Sequence, residues 1–596
     1  MLVENEQIKT GTAEGTAEPR TMNAEPAGRG RSLLDRLGAW VDSMPWIMPC
    51  LIALAGSVST VSLALFGFVR GDKIHLFWAK HFSDQLWAGN LYPQWLQGMN
   101  SGLGSPTFYF YGPVSYYITS LFFLVLPFHR YGWLQVGLAA ALASVASGLA
   151  AYLWLRERCS RLAAGVAAIL YTWLPYHLRI DHFERFAFAE YWGFVWMPLS
   201  LYFVSRLVRG HRKNLVGLAV TYTLLLMTHP PTALLFGGIP ILYALVLVAE
   251  TRNYRPLIYV AAAVALGTLM ASAYLIPALT TQSNASMGEM IVGDGSYANN
   301  FLYVKMAGVA GPTQHWFQEW LASMTKLTMI AASMAALVTF TGLFGPRRWE
   351  RFLWSMVVLV SLLMMHPLSA PVWRAIPLLQ KIQFPWRFHI LLTLALTAMI
   401  AYAIEAIPSR PMQFWRSAAF GLAMLLVAFE GVYTLRSWRW TLLEKPELAE
   451  RIAVRDYPEY RPKWVPLDVY TPERVKRLGA TTPAVETVSG LGLVQVENWS
   501  PTGIQIATNG QSDMQMKVRQ FYYPTWTATL EDGKSLATSP STDDGLLLVS
   551  LPRGQHQVTL KIKSHGAALW GERISLATGF VTLCLLFVLR DERQAA

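Results

Sequence analysis

Thirteen apolar blocks, most of them near bilayer-crossing length, dominate the sequence and leave it few ways to fold. They fall near 46–70, 108–127, 133–155, 162–178, 188–207, 214–229, 232–249, 256–278, 323–343, 352–367, 388–406, 414–435 and 570–589. A spanning helix needs about 20 apolar residues, and soluble domains rarely repeat such blocks. Composition agrees, with 53% hydrophobic and only 14% charged residues, where soluble domains carry about 25% charged residues. The reading is an all-α polytopic transmembrane bundle of about 12 spans plus one re-entrant segment.

Connector charge sets the orientation, because Lys and Arg concentrate on the cytoplasmic side. Arg29, Arg31 and Arg36 precede the first block, which places the N-terminus inside and 71–130 outside. If 108–127 dips in from outside without crossing, Arg156–Arg161, Arg206–Lys213, Arg252–Arg255, Arg347–Arg351, Arg410–Arg416 and Arg590–Arg593 all become cytoplasmic. If it crosses, all six clusters are inverted. The run Ser105-Pro-Thr-Phe-Tyr-Phe-Tyr-Gly-Pro suits an interface better than a span. The expected localisation is therefore the cytoplasmic (inner) membrane, multi-pass, with both termini cytoplasmic.

The expected divisions are a disordered cytoplasmic tail over 1–44, a transmembrane domain over 45–435, an extracytoplasmic β-rich domain over 436–569, and a last span with its tail over 570–596. Alternation in Gly503-Ile-Gln-Ile-Ala-Thr, Met514-Gln-Met-Lys-Val and Gln557-Val-Thr-Leu-Lys-Ile, with turn signals at Asp532-Gly533 and Arg553-Gly554, predicts a small β-sandwich over 490–563. Phe521, Tyr522, Tyr523 and Trp526 are its candidate exposed aromatics for binding polysaccharide, although such residues more often form a sandwich's own core or its contact with the membrane, since alternation points half of them inward.

The formal charge of +12 sits at the ends of apolar blocks, so no nucleic-acid partner is implied. Three distant cysteines suggest neither a disulfide framework nor a zinc site. No Walker loop, dinucleotide glycine fingerprint or HExxH motif occurs. Topology does gather polar residues on the outer face: Asp72 and His75, then Asp181, His182, Glu184, Arg185 and Glu190, then His229, His366, and Gln383 through Arg387 to His389. Any one of these is explained by ordinary interfacial polarity. Together, on one side, they mark a shared site. A carboxylate such as Asp72 can take a proton from an incoming hydroxyl, and Arg185 and Arg387 can each fork onto a phosphate.

These residues also carry a resemblance. Gly71-Asp-Lys-Ile-His-Leu-Phe-Trp, Ala88-Gly-Asn-Leu-Tyr-Pro-Gln-Trp, Gly102-Leu-Gly-Ser-Pro, Tyr116-Tyr117, Pro175-Tyr176-His177, Thr228-His229, Gln383-Phe-Pro-Trp-Arg-Phe and Phe521-Tyr-Tyr-Pro-Thr-Trp resemble GT-C glycosyltransferase-like bacterial membrane proteins. Within that group the sequence is most similar to the 6-pyruvoyl-tetrahydropterin synthase-related membrane proteins, a label that implies no pterin chemistry. The resemblance implies a GT-C fold, a first outer loop at 71–130 with a catalytic acid matched by Asp72, and a polyprenyl-phosphate-sugar donor. It departs at Phe186, where a glycine is expected after Arg185.

The leading expectation is a glycosyltransferase serving an envelope glycan, lipid or protein acceptor. Asp72, His75 and Glu190 are the catalytic candidates, and Arg185, His229, Gln383 and Arg387 hold substrate and phosphate. A divalent ion, Mg or Mn, is the candidate cofactor at Asp72. Membrane lipid, a polyprenyl-phosphate-linked sugar and envelope polysaccharide are the expected partners. The alternatives are a lipid-linked glycan transporter or flippase, and a non-catalytic polysaccharide assembly protein. Transport favours ionisable groups at mid-span, whereas a scaffold should tolerate Asp72→Asn.

Overall fold

Small residues set the tightest packing. The helix Trp133–Arg156 buries Ala139, Ala140, Ala143, Ser144, Ser147 and Gly148, against the helix Ile47–Phe66. A Cβ on Gly148 would come within 2.6 Å of Ile52, so the sequence of small side chains is what lets the two backbones approach. Ser59 and Ser144 bridge the pair at 3.2 Å. The computed structural model describes residues 33–66, 72–126, 133–302, 312–342, 347–406, 421, 425, 429, 432, 455–564 and 566–591. Most of the expected tail, Gly71, most of the 414–435 block and the 436–454 stretch lie outside the described residues.

The helix His389–Ala406 is buried along almost its whole length and forms the centre of the bundle. Around it pack Arg161–Trp173, Pro312–Gly342 and Arg348–Met365. The last helix, Ala567–Val588, lies at the margin with most of its surface exposed, held by Ser575, whose hydroxyl accepts from the Ala273 amide at 2.8 Å.

Among the described residues four helices are long and apolar enough to cross a membrane, and up to seven if each bent pair is one span. This falls short of the dozen read from hydropathy. One reason is that local breaks divide several blocks. The helix Arg161–Trp173 gives way to a π-helix, Tyr176–Glu184, and a 62° bend separates Pro256–Met270 from Ser272–Thr280. The segment expected to dip without crossing contains the helix Val114–Val125, of 12 residues. At about 1.5 Å per residue it is well short of a bilayer's hydrocarbon core.

The C-terminal part is a sandwich of two antiparallel sheets, one ordered β1-β4-β8-β7 and the other β2-β3-β9-β5-β6. The strands run β1 Val485–Ser489, β2 Gly492–Ser500, β3 Gly503–Gly510, β4 Met514–Phe521, β5 Trp526–Thr529, β6 Ser535–Leu536, β7 Thr538–Pro540, β8 Leu546–Leu551 and β9 Gly554–Ile562. Met516, Val518 and Val549 from one sheet meet Ile504, Ile506 and Val558 from the other in a single core. The expected exposed aromatics are corrected here. Phe521, Tyr523 and Trp526 are buried: Trp526 lies on the inward face of β5, Phe521 follows a register shift after Val518 in β4, and Tyr523 lies in the link between the two strands; Tyr522 is half-buried, edge-on to Trp464. Tyr523 packs on Trp95 and Tyr109, so these aromatics anchor the sandwich to the 72–126 segment.

That segment is shaped by two close approaches. Gly104 has φ +85°, and a Cβ there would meet the Trp95 indole at 2.4 Å. A Cβ on Gly112 would sit 2.0 Å from the Thr228 carbonyl. The Leu103 carbonyl then accepts the Phe521 amide at 2.6 Å, tying the loop to β4.

Candidate functional site

Glu190 stands in the first turn of the helix Phe188–Val208 and is almost wholly buried. A carboxylate there needs charged or hydrogen-bonding company. It has three partners. Tyr176 donates its hydroxyl to Oε1 at 2.7 Å, while Arg185 Nη1 and Arg387 Nε reach Oε2 at 3.1 and 3.2 Å. The two arginines come from segments 202 residues apart, and Glu190 holds both.

Each guanidinium is fixed further. Arg185 donates to Asp181 Oδ1 at 2.7 Å and lies 4.6 Å over the Trp386 ring. Arg387 donates through Nη1 to the Ile382 carbonyl at 2.6 Å and to Gln383 Oε1 at 3.2 Å. It also lies 4.7 Å over Phe384. Gln383 holds this pose with a left-handed φ of +67° and an amide bond to the Met290 carbonyl at 2.7 Å. Among the described residues, no hydrogen bond occupies Nη2 of either arginine.

Asp72 joins this cluster through the backbone: its amide donates to the Arg185 carbonyl at 2.8 Å. Its Oδ1 accepts from the Ile74 amide at 3.1 Å. Burial pushes the Asp72 carboxyl up to about 6; the Ile74 bond opposes this, the Asp456 charge adds to it, and Arg185 opposes it. His75 donates to or accepts from Tyr116 at 2.7 Å through Nδ1. It is enclosed by Trp78, Tyr111, Tyr116, Phe186 and Phe188. Burial, then Arg185, lowers it to about 3, which leaves it neutral. His229 caps the end of Asn214–Thr228 and bonds Thr232 Oγ1 at 2.7 Å. It lies within electrostatic reach of Glu190, Arg387 and Arg185 rather than in contact with them.

The structure thus brings Asp72, Arg185, Glu190, Gln383 and Arg387 into one connected group, with His75 and His229 beside it. His366 and His389 take other places. His366 caps its own turn, and His389 bonds Thr328 at 2.7 Å and stacks on Tyr176. Phe186 takes φ +49° in the left-handed region, the conformation a glycine would adopt freely.

Two acids escaped the sequence reading. Asp456 is buried, and accepts from Trp78 Nε1 at 3.2 Å, Ser105 Oγ at 2.6 Å and Thr107 Oγ1 at 2.5 Å. Its amide donates to Asn100 at 2.7 Å, so it fastens the 72–126 segment. Burial raises Asp456 to about 6 and Glu459 to about 7. The run Arg455-Asp-Tyr-Pro-Glu-Tyr-Arg-Pro was the available signal, since paired prolines and tyrosines mark an ordered irregular segment. Among the described residues no group of three or more His, Cys, Asp or Glu side chains is placed to hold a metal ion.

A membrane protein with arginines clamped on a buried carboxylate beside a second acid, Asp72, is the class these observations define. The family model described as 6-pyruvoyl-tetrahydropterin synthase related domain, membrane protein, matches residues 108–440. The chain belongs to that family. No curated protein matches it. Among solved structures, it is similar to the Archaeoglobus fulgidus oligosaccharyltransferase tethered with an acceptor peptide containing the NVT sequon, at 12% identity and a TM-score of 0.40, over 71% of this chain and 61% of that one. The apo form of the same protein matches at 12% identity and a TM-score of 0.38, over 70% and 57%. This chain thus spans about three fifths of the archaeal protein's length.

Proposed function

We propose that this protein is a membrane glycosyltransferase of GT-C type. It moves a sugar from a polyprenyl-phosphate donor to an envelope glycan, lipid or protein acceptor at the outer face of the cytoplasmic membrane. The observation that carries this reading is Glu190 clamping Arg185 and Arg387 together beside Asp72. Asp72 accepts the proton of the acceptor hydroxyl as its oxygen bonds to the anomeric carbon. The bond from that carbon to the phosphate oxygen breaks, and the electron pair leaves with the polyprenyl phosphate. Nη2 of both arginines supplies donors for the departing charge, held in place before reaction by Glu190 and Asp181. Neutral His75 and His229 flank these groups as hydrogen-bonding side chains.

Mass spectrometry of envelope glycans and lipid-linked sugars tests this reading. Asp72→Asn should lower transfer by about 10²–10⁴-fold, with the donor accumulating and the folded protein at its normal level. Arg387→Ala should weaken donor binding as well as transfer. An unchanged glycan profile in Asp72→Asn would overturn the assignment and favour a scaffold. Donor accumulating only on the cytoplasmic side would favour a flippase. Orientation is read separately with the native cysteines replaced. Leu91→Cys should react with an impermeant maleimide in intact cells, and Tyr254→Cys only after permeabilisation. The reverse pattern would turn the whole chain over.

A further inference from the structure

The first outer segment and the sandwich leave between them a cavity of about 340 Å³, apart from the arginine cluster. That is within the range of small-ligand sites. Its walls come from four separated parts of the chain: residues 85–97, the turn at 501–503 between β2 and β3, Trp526 of β5, and the 561–572 stretch that ends β9 and starts the last helix.

The walls are polar and fixed. Gln85 and Gln94 are buried amides that line the cavity. Asn90 donates to Gln85 Oε1 at 3.2 Å. Trp95 is held by its indole N–H on Gln520 Oε1 at 2.8 Å, and Gln520 in turn donates to the Gly102 carbonyl at 2.7 Å. Trp526 also lines the cavity, with only 2% of its surface exposed. Its Nε1 is buried without a hydrogen-bond partner among the described residues.

Charge narrows the ligand. Lys561 and Glu572 are the two ionisable lining residues that carry opposite charges, and Glu572 already accepts from Ser564 Oγ. Among the described residues no arginine lines the cavity, so they offer a phosphate or a nucleotide no fork to bind. The amides supply both donors and acceptors, and the indoles add apolar faces with one polar edge each. Alternating hydroxyls and C–H faces are the surface such walls complement.

We infer that this cavity is a binding subsite for a neutral oligosaccharide, held between the outer segment and the sandwich. The site differs from the corrected idea of exposed sandwich aromatics, since it uses amides of the outer segment and the buried edge of Trp526. It stands independently of transfer at Asp72, because a non-catalytic glycan-binding protein would have the same use for it.

The test uses the full-length protein in nanodiscs and saturation-transfer NMR with maltopentaose, cellopentaose and chitopentaose in turn. At least one should receive saturation from the wild-type protein. Thr502→Trp, at an exposed rim position, fills the cavity and should weaken that signal at least about tenfold. Gln94→Ala should weaken it as well, which covers the case of one variant folding poorly. Arg387→Ala should leave it intact, although transfer is lost. The inference fails if none of the three sugars binds, if Thr502→Trp binds as before, or if Arg387→Ala abolishes the signal. The first two outcomes leave the transferase reading standing, so the two readings can fail separately.

Discussion

Two buried ion-pair clusters sit at opposite ends of the helix His389–Ala406, and they are finished differently. At one end Glu350 is fully buried, and every oxygen is used. Oε1 accepts from Arg158 Nε at 2.7 Å and from its Nη2; Oε2 accepts from Tyr402 at 2.6 Å and Tyr243 at 3.4 Å. At the other end Glu190 is equally well served, yet its surroundings are left open. Among the described residues, a carboxylate oxygen, Asp181 Oδ2, has no hydrogen-bond partner there, nor do His177 Nε2 and both ring nitrogens of His182; around Glu350 the unpartnered atoms include the N–H donors Arg347 Nη1 and Trp354 Nε1. Phe186 is held left-handed in the same turn, as Arg347 is just before the helix that carries Glu350. A carboxylate with every oxygen used serves stability, whereas an unmet carboxylate oxygen beside unmet imidazoles is kept where something else is gained. The contrast is what separates a structural ion pair from a site.

The largest expected effect breaks the closed end. Glu350→Ala leaves Arg158 and two tyrosines facing a hole, and should cost about 3–5 kcal/mol of stability. Thermal unfolding of the purified protein, or its folded yield, reads this directly. At the open end Asp181→Asn keeps the oxygen that meets Arg185 and alters only the unmet one. It should change stability by less than about 1 kcal/mol. Equal losses in the two variants would erase the distinction between the ends.

A smaller effect tests the strain. A non-glycine residue in the left-handed region costs about 1–3 kcal/mol, and truncating a buried phenylalanine costs about 3–5 kcal/mol. Phe186→Gly combines the two with opposite sign, so a net loss of about 2 kcal/mol is expected. Phe188 stacks on Phe186 at 5.6 Å but is helical, with no strain to relieve. Phe188→Ala should therefore be the more damaging of the two by thermal unfolding. If Phe186→Gly is worse, the left-handed turn carries no recoverable strain.

How much of this was legible follows the physics of each feature. Hydropathy located the buried central helix near 388–406, because nearly every residue in it is apolar. Period-two alternation located the sandwich, because β3, β4 and β9 each have one buried face. Connector charge gathered Asp72, Arg185, Glu190 and Arg387 on one side, since a single topological rule governs them all. What was lost was whatever depends on tertiary contact. The breaks that divide Arg161–Trp173 from its π-helix leave no mark in hydropathy. Alternation marks Phe521 and Trp526 as facing one way without saying which way is covered. Asp456 sits in a polar segment, where one more carboxylate looks ordinary, and only the fold carries it to Trp78, Ser105 and Thr107.

Asp456 also supplies the smallest effect and the finest test of the open end. Asp72 stands at about 6, raised mainly by burial and further by the Asp456 charge. Transfer needs Asp72 ionised to accept a proton, so it should rise with pH through about 6 and level off above it. Stability runs the other way. A carboxyl whose folded pKa exceeds its unfolded value contributes fully below that unfolded value, and the contribution is lost as pH rises through about 6. Because Asp72 and Asp456 repel each other, the measured midpoint belongs to the pair. Asp456→Asn removes one charge and should move the acid limb of transfer to lower pH, by less than about one unit. That change also disturbs the bonds to Ser105 and Thr107, so Glu459→Gln is the cleaner partner. Glu459 is half-buried and repels Asp72 from the same segment. Both variants should shift the limb in the same direction while Glu350→Gln, at the far end, leaves its position alone. A limb that moves with Glu350 and not with Asp456 or Glu459 would mean that the titrating group lies at the closed end, and Asp72 would lose its role as base.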